Sequence, residues 1–164
     1  MNTPSTFSLP LRSLSLVAVL WASIACASDQ CAPNSLAVVV SKTNATDSLS
    51  TAQLRKLMLG DVHQWPDRKA VTLVDSTDVY KCLLSAVVRM TDAELRRYLA
   101  NTEFRGDDPV PTKWVDSSAI AARAVASSQG GVALVDANAA AALGDAVKIV
   151  RINGKKPGEA GYPL

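Results

Sequence analysis

The chain has 164 residues, with 17 Lys and Arg against 15 Asp and Glu, and a formal net charge of +2. That balance gives no sign of a nucleic-acid or membrane-surface binder. With 48% hydrophobic residues it can bury a real core, and its length fits one ordinary domain better than two.

Residues 1–27 carry Arg12, an apolar run from Leu14 to Ile24 and the small triplet Ala25-Cys26-Ala27. This pattern predicts an export signal cleaved after Ala27. A membrane span needs about 20 apolar residues, more than this run offers, and no second such segment follows. Ser23-Ile24-Ala25-Cys26 leaves a lipid-anchored Cys26 as the alternative. Cleavage leaves a domain over residues 28–164, periplasmic or secreted, with Cys31 and Cys82 as its cysteines. In an oxidising compartment such a pair is expected to form a disulfide, with buried free thiols as the alternative. One histidine, His63, and two cysteines give no zinc-ligand set, and no cofactor motif is present.

Ser35-Leu36-Ala37-Val38-Val39-Val40 reads as a strand buried on both faces, followed by a polar connection from Ser41 to Leu49. Ser50 and Gln53 form a capping box for a helix whose Leu54, Leu57 and Met58 share a face, and Gly60 stops it. Trp65-Pro66-Asp67 is a turn, and Ala70 to Val74 a second strand. After Asp75-Ser76-Thr77-Asp78, the spacing of Val79, Cys82, Leu83, Ala86, Val87 and Met90 predicts a helix with one apolar face. Thr91 and Glu94 cap a further helix through Leu95, Tyr98 and Leu99. Phe104 to Val115 is mostly loop, with a short strand at its end. Asp116-Ser117-Ser118 opens an alanine-rich helix that Gln129-Gly130-Gly131 follows. Val132 to Val135 is a strand, Ala137 to Leu143 a short helix, and Val147 to Ile152 the last strand. Strands alternating with helices predict a three-layer α/β domain with a mostly parallel sheet of about four or five strands.

Three blocks resemble the phosphate-binding proteins of bacterial ABC transporters, within the type II periplasmic binding protein class. These are Leu49 to Leu54 with Gly60 and Trp65, then Gln129 to Val135, and then Val147 to Gly154 with Pro157-Gly158 and Gly161-Tyr162-Pro163-Leu164. The resemblance implies a non-enzymatic lobe that binds phosphate or a related oxyanion, within or derived from an ABC transport system. It implies oxyanion contacts from Ser76, Thr77, Arg105 and Ser117, since hydroxyls and helix-start N–H groups suit an anion. The family's turn carries a glycine; here it reads Asp75-Ser76-Thr77-Asp78, with no glycine and two carboxylates. A carboxylate beside a dianion is unfavourable unless it takes up a proton. Ser, Thr and Asp at that place also read simply as helix caps. A complete two-lobed receptor would be about twice this length. A lobe that has lost its small ligand and works as an interaction or accessory module of the envelope is therefore the second reading, and a transporter or envelope protein the expected partner.

No serine sits in a nucleophile elbow and no glycine run forms a phosphate loop, so no catalytic residue is assigned. Trp65 and Trp114 are expected to be packing residues rather than ligand platforms.

Overall fold

The structure is a computed structural model, and it describes residues 31, 32 and 34–164. The expected export signal over residues 1–27 and the alternative anchor Cys26 lie outside the described residues.

Six strands form one sheet: β1 (Leu36–Ser41), β2 (Ser48–Leu49), β3 (Thr72–Ser76), β4 (Thr112–Val115), β5 (Gly131–Asp136) and β6 (Val147–Ile152). Their order across the sheet is β2-β6-β1-β5-β3-β4. Every residue of β1 is buried, as its unbroken apolar run requires of a strand covered on both faces. β1 runs antiparallel to both its neighbours, β5 and β6. The pairs β2·β6, β3·β4 and β3·β5 are parallel, so the other five strands share one direction. The sheet is therefore mostly parallel as expected, and larger than expected by the two-residue β2, too short to leave a periodic signal.

Helices α1 (Thr51–Met58), α2 (Tyr80–Cys82) with its π-helical continuation (Leu83–Val88), and α3 (Asp92–Phe104) cover one face. Helices α4 (Ser118–Ala126) and α5 (Ala137–Ala142) cover the other. Alternation along β1 feeds both cores: Leu36, Val38 and Val40 point to the first, and Ala37 and Val39 to the second. The fold is thus a three-layer α/β lobe, as expected.

Both capping boxes form. Ser50 accepts from the Gln53 N–H at 3.2 Å while Gln53 accepts from the Ser50 N–H at 2.8 Å, and Thr91 and Glu94 exchange the same pair of bonds. Gly60 takes φ +80° just past the end of α1, the left-handed geometry that favours glycine. The strand expected over Ala70 to Val74 starts and ends two residues later, at Thr72–Ser76, where Thr72 and Leu73 pair with Gly131 and Val132 of β5. The helix expected over Val79 to Met90 is largely π-helical. Its hydrogen bonds span five residues instead of four, so the apolar face slips and Val88, outside the expected stripe, is fully buried.

Cys31 and Cys82 are joined, with Cα atoms 5.2 Å apart, which ties the N-terminal segment to the start of the π-helical turn. Tyr162 and Leu164 pack into the first core, and the Leu164 carbonyl accepts the Asn34 N–H at 2.6 Å. Among the described residues no helix is long and apolar enough to cross a membrane.

Candidate functional site

The parallel strands β3, β4 and β5 end together, at Ser76, Val115 and Asp136, and a helix begins just past each end. Crevices outside the carboxyl ends of such strands are where open α/β sheets bind ligands. Free N–H groups and the positive ends of the helix dipoles gather there.

In this chain several of those donors are already taken. The Asp78 carboxylate accepts the Ser118 N–H at 2.7 Å and so caps α4 from 40 residues away. Ser117, the residue at the cap position itself, makes no side-chain cap bond. The Ser118 hydroxyl accepts the Asp136 N–H at 3.1 Å, and the Asp136 carboxylate accepts the N–H groups of Asn138 at 2.8 Å and Ala139 at 3.3 Å at the start of α5. Thr77 is spent on the same scaffold: its N–H donates to Val115 at 3.1 Å and its hydroxyl to the Asp116 carbonyl at 2.9 Å.

Ser76 is buried, with no hydrogen bond of ordinary geometry for its hydroxyl. Burial opposes ionisation of Asp78, but the Ser118 N–H and the Ser76 and Ser118 hydroxyls outweigh it and hold the carboxyl below its usual range. Asp78 is therefore an anion at neutral pH, seated on a helix start. Of the four residues implied by the resemblance, Ser76, Thr77 and Ser117 meet at this edge. Arg105 does not join them. It caps the far end of α3, pairs with Asp107 at 3.6 Å, and belongs to the connection entering β4 at Thr112. Ser76 instead pairs with Val115 at the strand's exit, so roughly 10 Å of strand lies between the two ends at ~3.3 Å per residue. The placement of Asp78 and Ser118 on one bond is the contact that sequence reading leaves out; its signal is the carboxylate that replaces a hydroxyl or glycine in the turn.

Asp75 points the other way, with Leu73, into a cavity between α3 and the β3–β4 edge. Trp114, opposite it in register, stays half exposed and meets Tyr80 edge to face at 5.1 Å, so it is a rim residue rather than the packing residue expected. Burial alone pushes the Asp75 pKa from 3.8 up to about 6. Between those values the native state keeps a proton that the unfolded chain has lost, so stability falls as pH rises through this window and then levels. Asp75→Asn should abolish that fall. Comparing urea unfolding at pH 4.5 and 7.5, the wild type should lose about 2 kcal/mol relative to the variant; equal pH dependence in both would contradict the assignment.

No protein-family model matches the chain, and no curated protein sequence matches it. Solved structures do. A protein of Clostridium perfringens described as a phosphate ABC transporter substrate-binding protein, with bound phosphate, superposes with a TM-score of 0.59 at 15% identity, over 75% of this chain and 46% of its own. PstS from Borrelia burgdorferi gives 0.58 at 12% identity, over 75% and 49%. An ABC-type phosphate transport receptor from Vibrio cholerae gives 0.50 at 16%, over 75% and 48%. The chain spans about half the length of each. At such identities the likeness is one of fold, and it places this chain with the phosphate-receptor lobes in architecture.

Proposed function

We propose that this protein is a non-enzymatic binding lobe of the solute-receptor type, exported to the cell envelope, whose oxyanion position is held by its own Asp78. It is an accessory or interaction module related to ABC-type phosphate receptors, with an envelope protein or transporter component as its partner. The single observation that carries this is the 2.7 Å bond from the Ser118 N–H to the Asp78 carboxylate. A charged, hydrogen-bonded carboxylate already satisfies the helix start that an oxyanion would use, and it repels a second anion. The Cys31–Cys82 bridge fits an oxidising compartment.

The competing reading is a phosphate-class receptor built on Ser76, Thr77, Ser117 and Arg105. It draws on the Ser76 hydroxyl, buried at this edge with no hydrogen bond of ordinary geometry and turned toward the Asp78 carboxylate. Thermal unfolding at fixed ionic strength against phosphate, sulfate and small carboxylates separates the two. The wild type should be insensitive to all of them. Asp78→Ser, which keeps a capping oxygen but removes the charge, should gain a saturable phosphate response, reaching about 2.7 kcal/mol at one hundred times its dissociation constant. A saturable response of the wild type that Ser76→Ala with Thr77→Ala removes would replace this proposal with the receptor reading.

A further inference from the structure

The cavity beside Asp75 holds about 570 Å³, within the range of small-molecule sites. Its walls are mainly apolar: Leu73 from the sheet, Leu83 from the π-helical turn, Leu95 from α3 and Val110 from the loop before β4. Four carboxylates line it, Asp75, Asp92, Glu103 and Asp108, against one guanidinium, Arg96. Arg96 is not free to serve Asp75, because it pairs with Asp92 at 2.7 Å. Asp92 is also satisfied, accepting the Tyr80 hydroxyl at 2.7 Å. The Asp75 carboxylate has no hydrogen-bond or ion-pair partner among the described residues. An unpaired carboxylate against apolar walls is costly, and a bound cation removes that cost. At the mouth, Trp114 is 53% exposed and Leu99 43% exposed, which leaves an aromatic face and an apolar edge open to solvent. An indole face attracts a cation and also covers hydrocarbon.

We propose that this cavity binds a small amphipathic amine, its ammonium group against Asp75 and its hydrocarbon body along Leu73, Leu83 and Leu95. The site lies on the α1–α3 face of β3, apart from the helix-start crevice, and it does not depend on how that crevice is used. The lining excludes the opposite class: a small organic anion would meet three carboxylates that Arg96 does not neutralise.

The test uses the oxidised protein and a matched trio of probes: n-hexylammonium, n-hexanol and n-hexanoate, followed by thermal unfolding and tryptophan fluorescence. Hexylammonium should bind saturably in the low-millimolar range or better, at least tenfold more tightly than hexanol, with hexanoate silent. Across butyl, pentyl and hexyl ammonium the affinity should rise about fourfold per methylene as apolar surface is buried. Asp75→Asn, nearly isosteric, should bring the amine down to the alcohol's affinity. Equal binding of amine and alcohol by the wild type would overturn the proposal, as would the absence of any saturable amine response. The three-probe comparison needs no variant, so it decides the matter even if Asp75→Asn folds poorly.

Discussion

Gly130→Ala is expected to destabilise the protein by about 3 kcal/mol or more, among the largest effects available to a single methyl group here. A β-carbon on Gly130 would stand 1.8 Å from the Ala70 carbonyl oxygen, a backbone atom that cannot rotate away. The collision falls at a junction. The Gly130 carbonyl accepts both the Thr72 N–H and the Trp65 indole N–H, each at 3.0 Å, so it joins the entry of β3, the start of β5 and the Trp65 turn. Trp65 is 4% exposed, and both bonds are lost if the segment retreats. Urea unfolding of purified variant and wild type checks this. A loss under 1 kcal/mol would mean that the Ala70 segment yields more easily than its pairing implies.

Removing the disulfide should cost about 2 to 4 kcal/mol and lower the thermal midpoint by roughly 10 °C. The bridge spans 51 residues, long enough for cross-linking to restrict the unfolded chain strongly. Cys31→Ser is the clean substitution because Cys31 is exposed, whereas Cys82 is fully buried and its replacement would also open a cavity. Reductant should lower the wild-type midpoint to that of Cys31→Ser and leave the variant unmoved. A wild type insensitive to reductant would contradict the bridge's role in stability.

Much of this fold was readable from local pattern. Both capping boxes lie within four residues, β1 announces itself by five consecutive apolar residues, and Gly60 marks the end of α1. The architecture followed from the alternation of such segments. What failed to show was non-local. β2 is two residues held only by pairing to β6, and the reversed direction of β1 depends on partners about 100 residues away. The π-helical turn keeps apolar spacing close enough to α-helical that Met90 packs against the core as its spacing predicts, while the full burial of Val88 leaves no mark in that pattern. The same holds at the site. Ser76, Thr77 and Ser117 were legible as polar residues at helix starts, but Asp78 reaches Ser118 across 40 residues, and no spacing rule records that bond. Only the resemblance groups Arg105 with them; it sits at the C-terminal end of α3, before the connection that enters β4.

NMR of the Ser118 amide reads the seat of Asp78 on the start of α4 at the bond itself. With the protein at neutral pH, the Ser118 N–H resonance should ignore phosphate and should move only on acidification, in step with the Asp78 carboxyl carbon as that depressed pKa is crossed. A saturable phosphate-induced shift of Ser118 at neutral pH, or a Ser118 amide that does not follow Asp78, would contradict it.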